Sequence, residues 1–149
     1  MKGYIFLLLL MLVGVASQAD NAHLIARLDS LLEQRGTMSN AKQAHIDMLK
    51  RNALKLSDPK ARLSTFSDIY NEYYVFKFDS AMLYVNKGLQ LAEQLNDAYY
   101  RDLFLLCKSQ LLSVGGLYSE AISNLHTIHE DTLDDRLRLA YYMTFFYVH

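Results

Sequence analysis

The chain has 149 residues, 15 lysine and arginine against 16 acidic side chains, and a formal net charge of −1. This near-neutral balance argues against nucleic acid as a ligand of this region, because such ligands need a clear excess of positive charge. The single cysteine, Cys107, excludes an internal disulfide bond, so packing must hold the fold together. Cys107 stands in an apolar run and is expected in the core.

The amino terminus has the pattern of a secretory signal peptide. Lys2 precedes an apolar stretch over residues 5–15, and Ser17 and Ala19 are small residues at the −3 and −1 positions of a cleavage site. The stretch is shorter than the roughly 20 residues that a spanning helix needs, and an uncleaved anchor is the alternative. We predict a signal peptide at residues 1–19, export across the cytoplasmic membrane and a periplasmic location.

Residues 20–57 are predicted to form an amino-terminal helical hairpin. Gly36 is expected to end its first helix, and the second is expected from about Asn40 to Leu56. An apolar seam follows both helices: Leu28, Leu31, Leu32, Met38, Ile46, Leu49 and Leu56. A coiled-coil dimer is the alternative. Residues 42–62 carry six basic and two acidic side chains, which indicates a solvated face or a basic patch.

Five further helices are predicted after residue 57, because the sequence shows helical apolar spacing and no sustained alternation. Three of them are expected to begin at an N-cap residue: Asp58 before Pro59, Asp79, and Ser119 after the Gly115-Gly116 turn. Another is expected to begin at about Ala98, after Asn96-Asp97, and the last at a capping box formed by Thr132–Asp135. The second to fourth of them are expected to end at Leu95, Val114 and about His129. Short loops make successive helices antiparallel neighbours, so the fold class is all-α.

Within this stack a pattern recurs at a distance of 40 residues. It consists of an aromatic residue, an alanine three positions later, an apolar residue four positions further on, and a position for a small residue three positions after that. The first copy is Phe78, Ala81, Val85 and Gly88, and the second is Tyr118, Ala121, Leu125 and Ile128. Fixed-period self-similarity of this kind is typical of stacked helical repeats. The pattern resembles the second helix of the tetratricopeptide repeat. Residues 58–149 are therefore predicted to be tetratricopeptide-like repeats, the last one incomplete.

The order of motifs also resembles the amino-terminal region of a Bacteroidota family of tetratricopeptide-repeat regulatory proteins. The motifs are Leu28–Leu32, Ile46–Lys50, Ile69–Tyr73 and Phe78–Asn86, behind an export signal. The resemblance implies repeats outside the cytoplasmic membrane, usually followed by a transmembrane helix, a coiled coil and a cytoplasmic DNA-binding region.

The sequence offers little for catalysis or metal binding. His126 and His129 could share a helix face, but histidines at a helix carboxyl end are also favoured by the helix dipole. No nucleophile elbow or phosphate-binding loop occurs. We therefore predict no catalytic residue, no metal site and no cofactor.

The candidate groove residues are tyrosines on predicted first helices, whose inner face lines the groove of such scaffolds: Tyr70, Tyr73, Tyr74, Tyr99 and Tyr100. The alternative for Tyr70 and Tyr73 is that they form the packing stripe of their helix. The last residues form a dense aromatic stretch. Self-association through Tyr141, Tyr142, Phe145 and Phe146, or continuation in a longer protein, is expected because this apolar surface would otherwise stay uncovered.

These observations predict a non-catalytic protein-interaction or sensory repeat domain of an exported or membrane-anchored regulator, with a protein or peptide partner. The alternative is a periplasmic adaptor, or a truncated remnant without independent activity.

Overall fold

The computed structural model describes the backbone of residues 2–148 and the side chains of residue 21 and residues 23–148. Six α-helices follow one another: α1 (Lys2–Lys55), α2 (Pro59–Tyr73), α3 (Phe78–Gln94), α4 (Ala98–Val114), α5 (Tyr118–Leu125) and α6 (Asp135–Val148), with a short 3-10 helix at Glu130–Thr132. No strand occurs in the described residues, and the all-α prediction is confirmed. The chain divides into two compact units, residues 1–44 and residues 45–149.

The first unit is helical through Gly36, so the prediction that a helix ends there is wrong and the helical hairpin is not formed. Glycine costs a helix only about 1 kcal/mol against alanine, and the flanking leucine, glutamine and arginine residues are good helix formers. The described side chains of the apolar seam in this unit, including Leu28 and Leu31, are more than half exposed. The predicted signal peptide lies outside the residues whose side chains are described, and it stays a prediction.

In the second unit, antiparallel helix pairs stack side by side. Helix α2 packs on α3, α4 packs on both α3 and α5, and α6 packs on α4 and α5. The first helix of each pair begins with the same device: the carboxylates of Asp58, Asp97 and Asp134 accept hydrogen bonds from the backbone N–H groups of Ala61, Tyr100 and Leu137, each three residues on. These aspartates satisfy N–H groups that the first turn leaves without a helical partner.

The alanine and apolar positions of the 40-residue pattern are buried between helices, while its aromatic residues Phe78 and Tyr118 are 38% and 51% exposed. Ala81, Val85, Ala121 and Leu125 have no exposed surface. A Cβ atom at Gly88 would overlap Cζ of Phe104, so only glycine lets α4 approach α3 this closely. The alanine and apolar positions of the pattern therefore mark helix packing, as a tetratricopeptide-like repeat requires.

The core of the second unit is built from three apolar clusters. The first joins the end of α1 to α2, α3 and α4: Ile46, Ile69, Tyr70, Tyr73, Ala81, Tyr84, Val85, Cys107 and Leu111. The second joins α4, α5 and α6: Leu106, Leu112, Ala121, Leu125, Ile128, Leu133, Leu137, Tyr141 and Val148. The third is Leu63, Ala92 and Phe104. Cys107 is buried, as predicted.

Several helix ends differ from the predictions. Helix α4 begins and ends as predicted, but Asp79 and Ser119 lie in the first turns of α3 and α5, and neither caps its helix. The predicted capping box is wrong as well, because the Asp134 carboxylate caps α6 while the Thr132 hydroxyl donates to the His129 carbonyl. Helix α5 ends at Leu125 and not near His129.

Candidate binding cleft

A cleft of about 450 Å³ lies along the first helices of the stack, α2, α4 and α6. Each helix contributes residues from its carboxyl-terminal half: Tyr70, Asn71 and Tyr74 from α2, Gln110, Ser113 and Val114 from α4, and Met143, Thr144 and Tyr147 from α6. Tyr74 is the C-cap residue of α2 and directly follows Tyr73, the last residue of the helix. One groove thus meets all three repeats, and a ligand in it would contact all three first helices.

A hydrogen-bond ladder crosses this cleft from helix to helix. The Tyr70 hydroxyl donates to Oε1 of Gln110 at 3.1 Å, and Nε2 of Gln110 donates to Oγ1 of Thr144 at 3.3 Å. The Thr144 hydroxyl donates its own proton to the Ala140 carbonyl at 2.8 Å. Because that proton is committed, Thr144 can only accept from Gln110, and this fixes which end of the Gln110 amide faces which neighbour.

The floor of the cleft is a tyrosine that stays neutral. Tyr70 is only 3% exposed, and burial raises the pKa of its hydroxyl far above the ordinary value. Burial also raises the pKa of the neighbouring Cys107 thiol to about 12. An ionised phenolate or thiolate would be desolvated here without a counter-charge, so both groups keep their protons at physiological pH. Tyr70 is therefore a constant hydrogen-bond donor.

The lining carries hydroxyl, amide, thioether and aromatic groups, and none of the nine lining residues bears a formal charge. The cleft also lies toward the carboxyl ends of α2 and α4, where the helix dipole contributes partial negative charge. Together these features suit an uncharged ligand that offers hydrogen-bond donors.

The structure brings two of the five predicted groove tyrosines together. Tyr70 and Tyr74 line the cleft, with ring centroids 5.6 Å apart. Tyr70 and Tyr73 both belong to the first core cluster, as the packing alternative expects, and Tyr73 stacks on Tyr84. Tyr99 and Tyr100 lie in the first turn of α4, ten or more residues before Gln110 and at least about 15 Å from it along the helix. A binding role for the five tyrosines stays a prediction.

Sequence reasoning missed the polar members of the ladder. Gln110 follows Tyr70 by 40 residues, which is the same distance that separates the two copies of the repeat pattern. A search for polar residues at equivalent repeat positions would have found it. Thr144 gives no such signal, because the third first helix begins only 37 residues after the second when counted between the capping aspartates Asp97 and Asp134.

The other candidate residues lie apart from the cleft. The His126 ring lies 6.3 Å from the Phe145 ring, and among the described residues no three His, Cys, Asp or Glu side chains could jointly hold a metal ion. Of the predicted self-association residues, Tyr141 is buried and Phe145 half-buried against the second core cluster, while Tyr142 and Phe146 are exposed. Over the residues that the structure describes, none of the helices combines the length and hydrophobicity of a membrane span.

Stacked antiparallel helix pairs, small residues at their closest contacts and a groove along the first helices define a tetratricopeptide-repeat domain. A family model described as the SusR N-terminal TPR domain matches residues 32–149, and the chain belongs to this family. This agrees with the resemblance to regulatory proteins stated above. No curated protein and no solved structure matches the chain significantly.

Proposed function

We propose that this chain is a non-catalytic interaction domain that holds a protein or peptide partner in the cleft along α2, α4 and α6. The observation that carries the proposal is the cleft itself, which is formed jointly by the first helices of three successive repeats. Membership of a tetratricopeptide-repeat family supports it, because such repeats generally mediate protein–protein interaction. A partner bound there would bridge the repeats and respond to their relative positions.

The proposed context is an exported or membrane-anchored regulator, in which this domain senses its partner in the periplasm. The support is the export pattern at residues 1–19, the motif order shared with regulatory proteins, and the family description, which places the domain at the amino terminus of its proteins. A fusion of residues 1–149 to alkaline phosphatase, which is active only after export, tests this context. The same fusion lacking residues 1–19 should lose the activity.

The proposed binding role of the cleft is tested by a substitution that places a large side chain at its edge. Val114 is 64% exposed and lines the cleft at the end of α4, so a tryptophan there can block the groove without entering the core. We expect Val114→Trp to weaken binding of a dye-labelled mixed-sequence peptide pool at least tenfold in fluorescence polarisation.

Leu54→Trp is the matched control, because Leu54 is 86% exposed on α1 in the same unit and lies outside the cleft. It should bind the pool like the unmodified protein. Equal binding by both variants, or no saturable binding by the unmodified protein, would contradict the proposed function.

A further inference from the structure

The middle of the cleft holds an amide group with unused hydrogen-bonding capacity. Gln110 is half-buried, and its described bonds use one lone pair of Oε1, taken by Tyr70, and one N–H of Nε2, given to Thr144. A glutamine side chain has a second lone pair and a second N–H. Because both bonds fix the amide plane, these two groups point in set directions before any ligand arrives.

A donor and an acceptor on one fixed amide match one residue of an extended segment, whose N–H and C=O point to the same side of the chain. Main-chain pairing of this type is how proteins bind extended segments with little dependence on side-chain identity. Asn71 lies beside Tyr70 in sequence, is exposed and lines the same cleft, so a second amide is available on α2.

The absence of charged side chains in the cleft limits which peptide segments can bind there. The lining offers no carboxylate for a basic side chain and no basic group for an acidic one. A charged side chain would therefore lose hydration in the cleft without gaining a counter-charge. An acidic one would also meet the negative ends of the α2 and α4 dipoles.

We propose that the cleft selects an uncharged, extended peptide segment, and that Gln110 binds its main chain. This inference rests on the proposed function and names the class of its partner. Tyr70 and Thr144 act as positioning residues, because they orient the Gln110 amide, while Tyr74 and Tyr147 provide aromatic walls.

The test uses four pools of capped hexapeptides carrying a zwitterionic rhodamine, with affinity measured by fluorescence polarisation. The neutral pool contains Ser, Thr, Gln, Val and Leu, two further pools carry two Glu or two Lys residues, and the last is the neutral pool with N-methyl groups on alternate residues. We expect the neutral pool to bind at least tenfold more tightly than either charged pool. N-methylation should weaken its binding about tenfold, since it removes main-chain N–H donors.

The same pools are measured on Gln110→Met, which keeps the length of the side chain and removes its amide, and on Gln94→Met as the matched control. Gln94 is exposed at the end of α3 and lies outside the cleft. N-methylation should change binding to Gln110→Met less than twofold and should affect Gln94→Met as it affects the unmodified protein. The comparison of peptide pools on the unmodified protein stands even if Gln110→Met folds poorly.

Failure of this inference and failure of the proposed function have different signatures. Tighter binding of a charged pool, or no effect of N-methylation while Val114→Trp still blocks binding, would overturn main-chain selection and leave the interaction cleft in place. Absence of binding by every peptide pool would overturn both. Binding of a soluble neutral glycan in their place would likewise overturn the peptide assignment.

Discussion

At the residue scale, Gly88 decides how closely the first two repeats approach each other. It lies within α3, where glycine is a poor helix former, yet the ring of fully buried Phe104 occupies the space that any Cβ would need. Glycine at this position costs α3 about 1 kcal/mol of intrinsic helix propensity relative to alanine, and it allows Phe104 to pack against the helix in the core. A substitution that favours the isolated helix should therefore harm the protein.

We expect Gly88→Ala to lower the free energy of unfolding by about 1–3 kcal/mol, because overpacking must move Phe104 or separate the helices. Urea denaturation followed by circular dichroism measures it. Gly36→Ala is the control, since a Cβ there meets nothing within 4 Å. A stabilised Gly88→Ala protein would show that α3 and α4 pack less closely than the structure indicates.

At the element scale, the turns between helices explain both the correct boundaries and the wrong ones. Asn96 and Gly116 adopt left-handed backbone conformations, with φ of 51° and 76°. In each case the next backbone N–H bonds to a carbonyl five residues earlier, from Asp97 to Ala92 at 2.9 Å and from Leu117 to Leu112 at 2.8 Å. This closure makes Leu117 the residue before α5, so Ser119 falls inside the first turn.

The early end of α5 also has a local cause. The Thr127 hydroxyl donates to the Asn124 carbonyl at 2.7 Å, and such a bond competes with continuation of the helix. The Asn124 amide itself donates to the Leu105 carbonyl and to the Ser109 hydroxyl of α4, both at 2.7 Å. Helix α5 is thus held to α4 by its last turn.

The capping aspartates give a prediction at this scale. Asp134→Ala should lower the free energy of unfolding by about 1 kcal/mol, because it removes the acceptor for the Leu137 N–H at the start of α6. Ser119→Ala should change it by less than about 0.5 kcal/mol, since no cap is lost. Chemical denaturation measures the free energy of unfolding of both variants. Equal decreases in the two variants would show that Asp134 does not stabilise α6 as an N-cap.

At the scale of the whole unit, Asp97 connects two repeats. Its carboxylate caps α4 and lies 3.2 Å from Nζ of Lys60 in the first turn of α2. The backbone N–H of Tyr100, with Lys60 as the weaker contributor, lowers the pKa of Asp97 below its usual value. A group with a lowered folded-state pKa adds stability above its unfolded pKa, and this stability is lost as the pH falls through the folded pKa.

We therefore expect the urea midpoint to fall as the pH drops from about 5 to below about 3, and Asp97→Asn to reduce this slope. Asparagine keeps an oxygen that can cap α4 but loses the charge. Asp68→Asn, on the exposed surface of α2, is the control. If the urea midpoint depends on pH equally in the unmodified protein and in Asp97→Asn, then Asp97 does not contribute to the loss of stability in acid.

The sequence alone determined the all-α class, the 40-residue repeat, the extent of α4 and the burial of Cys107, because these depend on local spacing, capping residues and apolar runs. It also offered tyrosines of α2 as groove candidates, with a packing role as the alternative for Tyr70 and Tyr73. Tertiary structure decided that Tyr70 and Tyr73 both pack in the core and that Tyr70 also lines the cleft. It also decided that Gln110 and Thr144 complete the ladder. Residues 40 and 34 positions apart become neighbours only when three first helices stack, and no local pattern encodes the angle at which they do so.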